Sequence, residues 1–163
     1  MSDMSDRSDS SEKINLSDKF NIQNSTFKIM QRVIVIAEAG VNHNGSFDLA
    51  VEMIDVAARA GADYVKFQTA IPEEVISCYA PKAEYQKETT GGGESQLDMC
   101  RRIHLPLSDY ARLARICRDR GIGFMSTPFD LPSIDCLARL DMDYWKIPSG
   151  EITNLPYLRK EIG

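Results

Sequence analysis

Two lysines sit where a chain seldom puts them. Lys66 lies in "DYVKFQ" (63–68), between Val65 and Phe67, and Lys146 lies in "DYWKIP" (143–148), between Trp145 and Ile147. Both stretches read as strands. Period-2 alternation puts Tyr64, Lys66 and Gln68 on one face and Val65, Phe67 and Thr69 on the other. Tyr144 and Lys146 repeat the arrangement. Lysine is rarely buried without an anionic partner. A single strand lysine also fits an exposed edge, but two at matching places predict a cationic pocket suited to phosphate or carboxylate. Glu38 ends the apolar run "VIVIA" (33–37), and an acid there needs a partner, for which Lys66 is the candidate. That pair is either a purely structural ion pair or part of a site.

Other polar groups fall at matching places. "STPFD" (126–130) offers Ser126 and Thr127 where a strand meets a helix, either as oxyanion donors or as a simple helix cap. "KIPSGE" (146–151) adds Ser149 and Glu151, and Glu151 either begins a helical turn or serves as an acid. After Glu38 comes "NHNG", with Asn42 and His43 ahead of a strong Asn-Gly turn signal. His43 fits a ligand, a base or a turn residue. His104, in "RRIHLPL", reads as structural, and two histidines so far apart make no metal site.

The elements that must carry these groups alternate. Strands are expected at 33–37, 63–68, 122–127 and 143–148. Helices are expected from a Ser46 or Asp48 cap to about Ala60, over 109–120, from near Pro132 to about Leu140, and from near Asn154 onward. The first strand is uninterrupted and reads as buried on both faces. Strand–helix alternation means parallel βα units. A dinucleotide-binding domain would show GxGxxG after its first strand, but "EAGVNHNGS" stands there. Polar residues end every strand, which favours a (β/α)8 TIM barrel, whose active site gathers at that end. About four βα units are present, so the reading is the N-terminal half of a barrel. Residues 70–106, with three consecutive glycines, read as an active-site flap with a short helix near 96–101. Residues 1–26 read as a disordered polar tail. "FKIM" (27–30) reads as a short strand opening the domain, which runs over 27–163. Met53, Met125 and Met142 read as core filler, and the Asp and Arg residues of 109–120 as a solvated helix face.

Composition excludes some classes. Net charge is −5 and pI about 5.1, against a general nucleic-acid binder. No apolar stretch nears the roughly 20 residues of a membrane span. Cys78, Cys100, Cys117 and Cys136 form no CxxC pair, and no signal peptide is evident. Free thiols in a cytoplasmic protein are the expectation.

The motifs "IAEAGVNHNGS", "GADYVKFQT", "APKAEYQ", "STPFD" and "DYWKIPSGE" resemble, in order and spacing, the sialic acid synthase family, which includes the neuraminic, legionaminic and pseudaminic acid synthases. The resemblance runs from about Val33 to Gly163. It implies a TIM barrel followed by a small antifreeze-like domain, in a homodimer. It implies condensation of phosphoenolpyruvate with an N-acetylated amino sugar, such as N-acetylmannosamine, to a nine-carbon 2-keto sugar acid. Lys66 and Lys146 would hold the phosphoenolpyruvate anion, with Ser126, Thr127 and Ser149 bonding to it. Gln68 would contact the sugar, Asn42 and His43 would line the first loop, and Glu38 and Glu151 would orient groups or move protons. The family uses a divalent ion, Mn2+ or Mg2+, whose histidine ligands are expected beyond residue 163, so this stretch alone is expected to be nearly inactive. Another phosphoenolpyruvate-dependent keto-sugar-acid synthase, or a noncatalytic half-barrel that binds an anion or a partner chain, are the alternatives.

Overall fold

The computed structural model describes residues 32–80 and 94–162. The polar tail, the "FKIM" strand and residues 81–93 of the expected flap lie outside the described residues. Within the unit 34–163, the described elements run β1 (Ile36–Gly40), α1 (Phe47–Arg59), β2 (Tyr64–Thr69), α2 (Pro72–Val75), α3 (Gln96–Ile103), α4 (Leu107–Arg120), β3 (Gly123–Pro128), α5 (Leu131–Leu137), a 3-10 turn (Ser149–Glu151) and α6 (Leu155–Ile162). The sheet is parallel in the order β1-β2-β3.

Four helices start at side chains the sequence offers as caps, whereas α2, which was not expected, and α4, which starts at Leu107 rather than 109, open without a side-chain cap. Ser46 caps α1, accepting from the Leu49 N–H. Ser95 caps α3 in the same way, through Asp98. The cap of α5 is Asp130, not the alternative Ser126 or Thr127. Its carboxylate takes the Ser133 N–H at 2.7 Å, the Ser133 hydroxyl at 2.8 Å and the Ile71 N–H at 2.7 Å. One buried carboxylate thereby ties the exit of β2 to the exit of β3. Asn154 opens α6 by accepting from the Tyr157 N–H, with Pro156 in the first turn.

The main hydrophobic cluster lies on one side of the sheet, while Met125 is buried on the other. Ala39, Val65, Phe67 and Phe124 pack against Ala50, Ile54 and Ala57 of α1 and Tyr110, Leu113 and Cys117 of α4. The Tyr110 hydroxyl donates to the Gln68 carbonyl at 2.7 Å, which fastens α4 to β2. Burial without a negative-tolerant environment pushes the Tyr110 phenol and the Cys117 thiol well up, the latter to about 12. Both are therefore neutral packing groups.

Two expectations fail here. The first strand begins at Ile36 rather than Val33, and it is not buried on both faces: Ile36 is 43% exposed. Among the described residues, the helices of the main cluster pack on one face and β1 is an edge. The second failure is the fourth strand. Residues 141–148 form neither strand nor helix. Side chains hold this segment instead. The Tyr64 ring lies over Gly123, meets Tyr144 edge-on at 5.3 Å, and its hydroxyl donates to Asp143 at 2.9 Å. A strand needs a ladder as well as alternation, and no backbone ladder forms along 143–148.

Candidate active site

Parallel register decides which side chains meet. Glu38 pairs with Lys66, Lys66 with Met125, and Gln68 with Thr127. Paired residues in a parallel sheet point to the same side, so Glu38, Lys66, Gln68 and Thr127 share the face turned away from the helix-packed core. They stand toward the C-terminal ends of their strands. The register slips between Glu38 and Gly40. There a Cβ on Gly40 would meet both the Glu38 carboxylate and the Gln68 amide within 4 Å. The missing side chain brings those two groups close.

Lys66 and Glu38 form an ion pair. The Lys66 side chain is 14% exposed and Glu38 53%, so the ammonium is largely withdrawn from water while its partner is half open. Little solvent screens the ammonium, but the Glu38 carboxylate offsets part of its attraction for an incoming anion.

Ser126 turns the other way. It is fully buried on the helix side, sharing a 2.6 Å hydrogen bond with the Thr69 hydroxyl. Asn42 is exposed in the turn after β1, while His43 is fully buried beneath it. Lys146 is exposed on the unladdered segment and makes no ion pair among the described residues. Ser149 is exposed, and the Glu151 carboxylate accepts from the Asn154 side-chain amide at 2.6 Å. Glu151 also lines a cleft of about 900 Å3 with Glu74, Asp130, Asn154, Tyr157 and Lys160. Among the described residues, no hydrogen bond or ion pair joins Lys146, Ser149 or Glu151 to the Glu38–Lys66 group.

His43 is a neutral packing group by geometry. Its Nδ1 accepts from the Gly45 N–H at 3.2 Å, which places the ring proton on Nε2. Nε2 is buried and has no partner among the described residues, and the ring lies 6.0 Å from that of Phe67. Burial, and then the nearby His104, hold the His43 pKa below 6.5. Burial also lowers that of His104, against its contact with the Cys100 carbonyl. Both histidines bind their proton more weakly folded than unfolded. Their stabilising contribution is therefore complete above the unfolded value of 6.5 and is lost as pH falls below it. Urea midpoints followed by Trp145 fluorescence are expected to fall steadily from pH 7 to pH 5, and His43→Gln is expected to flatten that fall. A wild-type midpoint that is level across the range would contradict the assignment.

A divalent ion does not fit these residues. No group of three His, Cys, Asp or Glu side chains converges among the described residues. The Nδ1 atoms of both histidines are already engaged. No helix among the described residues is long and apolar enough to cross a membrane.

Sequence reading missed two connecting residues. Asp130 was legible in principle as an acid just before Leu-Pro at a helix start. Arg102 was not, because nothing local marks the partners it reaches.

Comparison with known proteins bears on what this face is for. The sequence model of the NeuB family matches residues 53–162. The chain belongs to the NeuB family. It is 50% identical over 131 residues to the N,N'-diacetyllegionaminic acid synthase of Campylobacter jejuni, a match covering 80% of this chain and 39% of that one. It is 46% identical over 125 residues to the Legionella pneumophila protein of the same name, covering 77% and 35%. In structure it is similar to the N-acetylneuraminic acid synthetase of Leptospira borgpetersenii, solved in complex with citrate. The TM-score is 0.62 at 29% identity, over 78% of this chain and 41% of that one. This NeuB chain thus spans about two fifths or less of the length of the two curated relatives.

Proposed function

We propose that this NeuB-family segment carries the phosphoenolpyruvate side of a keto-sugar-acid synthase. The observation that carries the reading is the Glu38–Lys66 pair, on the sheet face opposite the main hydrophobic cluster, beside Gln68 and Thr127. Phosphoenolpyruvate has a carboxylate and a phosphate, so its site needs cations and several donors aimed at one place. Lys66, shared with Glu38, supplies a cation, and Thr127, 3% exposed, supplies a hydroxyl. Ser126 faces the helices, so Thr127 takes the donor role in this proposal and Ser126 a structural one.

Lys146 and Ser149 complete the site once residues 143–148 are drawn into a ladder along β3. A further strand on their outer side would supply that constraint, as barrel closure does. Alternation would then turn Tyr144 and Lys146 inward beside Tyr64 and Lys66. The complete protein is a (β/α)8 barrel in this reading, acting as a homodimer in the cytoplasm. Any Mn2+ or Mg2+ is held by residues outside the described stretch, and no step below depends on it.

In the reaction, C3 of phosphoenolpyruvate forms the new bond to the aldehyde carbon of the sugar. C2 then gains positive character and takes a water oxygen. One water proton ends on the former aldehyde oxygen; the other leaves with the phosphate as the bond from C2 to its bridging oxygen breaks, which leaves the 2-keto acid. Glu38 lies within reach of the ammonium that holds the donor, and suits both the developing cation and proton movement. In this reading Gln68, two residues beyond Lys66 on the same face, contacts the sugar.

The names of the two curated relatives reported above support one acceptor class in this reading. A product with two N-acetyl groups requires an acceptor with two, so a diacetamido hexose is favoured over N-acetylmannosamine. The test supplies the synthase containing this segment with phosphoenolpyruvate, Mn2+ and each sugar in turn, and measures phosphate release. Release is expected only with an acceptor present, and fastest with the diacetamido hexose. Release without any sugar, or none with either, would refute the reading.

A further inference from the structure

We infer that Arg102 is a positioning residue for the reaction proposed above, on which this inference rests: it anchors the turn 41–45 and, through it, the Glu38 end of β1. Arg102 lies in the last turn of α3. Its Nη1 donates to the Asn44 side-chain oxygen at 2.9 Å. Its Nε and Nη2 donate to the two carboxylate oxygens of Glu94 at 3.2 and 3.3 Å. One planar guanidinium thus spans the segment entering α3 and the turn leaving β1, a span that suits its fork of donors.

The turn needs such an anchor. Its own backbone bonds are all local: Asn42 N–H to the Ala39 carbonyl, Asn44 N–H to Val41, and Ser46 N–H to His43. Among the described residues, Asn44 is the non-glycine residue with positive φ, at 49°. Asparagine tolerates this left-handed turn conformation, so the contact from Arg102 fixes the orientation of the turn rather than relieving strain. Among the described residues, the side-chain hydrogen bond that reaches the turn from another element is that of Arg102. The Arg102 carbonyl also lies against Gly45, so main chain and side chain press the same turn. Asn42 is joined in turn to Ala39, the residue after Glu38.

The effect is one of geometry rather than stability. The Arg102 and Glu94 side chains are 45% and 28% exposed, and exposed ion pairs stabilise little. A displacement of about 1 Å at reacting groups can by contrast cost about a hundredfold in rate.

The test measures kinetics, thermal midpoint and amide hydrogen exchange for Arg102→Ala and Arg102→Lys in the synthase containing this segment. We expect kcat to fall about tenfold in Arg102→Ala, with KM for phosphoenolpyruvate within about threefold of wild type. Exchange at Asn44 and Ser46 is expected to rise at least fivefold, with little change in thermal midpoint. Lysine rescues neither, since one ammonium cannot hold Asn44 and both Glu94 oxygens; if the alanine variant does not fold, the lysine variant carries the same test. Unchanged exchange, or kcat within twofold of wild type in a folded variant, overturns the inference. Lys66→Ala run alongside separates the two failures. If it stays active, the proposed reaction is wrong. If it is dead while Arg102→Ala is normal, only the role of Arg102 is wrong.

Discussion

Replacing Lys66 with alanine is expected to weaken phosphoenolpyruvate binding at least a hundredfold and to lower kcat/KM about a thousandfold, with the fold intact. The Lys66 side chain is 14% exposed, so it meets an anionic ligand with little competing solvent. Removing one partner of such a charged contact costs about 2–5 kcal/mol, and about 1.4 kcal/mol is tenfold in affinity. The ligand must desolvate two anionic groups in the complex, so the upper part of that range applies. The fold should survive for a reason visible in the same pair. The carboxylate left behind is half open to water, which can solvate it. The hydrophobic core lies on the opposite side of β2, around Val65 and Phe67. Calorimetric titration with phosphoenolpyruvate and a thermal melt of the same variant are the measurements. Affinity within threefold of wild type would remove Lys66 from the site; a collapsed melt would make the pair structural.

The alternation of β2 was legible from the sequence because it is a local property. Val65 and Phe67 are buried while Tyr64, Lys66 and Gln68 are partly open, in the order of the residues themselves. The Glu38–Lys66 pairing was also legible, since an acid ending one strand and a lysine on the next, on the same face, have few better partners. Ser126 and Thr127 were not separable. They are neighbours of similar chemistry, and which one faces the helices is fixed by pairing with Phe67 and Gln68 on another strand. Lys146 shows the same limit more strongly. "DYWKIP" has the composition of a strand, but a strand is a relation between two segments, and the segment found here is held by Tyr64 through side chains alone. Arg102 joins residues 8 and 58 positions away, and neither spacing leaves a trace in the local pattern.

Replacing Gly45 with alanine is expected to cost about 3 kcal/mol or more and to lower the thermal midpoint by roughly 10 °C. Two separate terms contribute. The residue has φ of +76°, a left-handed conformation that costs an L-residue with a Cβ about 1–2 kcal/mol. The added Cβ would also lie under 3.0 Å from the Arg102 carbonyl oxygen. That oxygen is main chain at the end of α3, so it cannot swing aside as a side chain could. Either α3 or the turn must move, in a region where the Gly45 N–H already serves the buried His43 ring. Gly61 isolates the first term. Its φ is +80°, nearly the same, yet a Cβ there would meet nothing within 4 Å. Gly61→Ala is therefore expected to cost only the conformational part, and the difference between the two variants measures the steric part. A change of about 1 kcal/mol moves the midpoint by roughly 2–4 °C in a chain of this size, so the two melts should be well resolved. If Gly45→Ala melts no lower than Gly61→Ala, then α3 does not press on the turn, and the anchoring role of Arg102 loses its main-chain half.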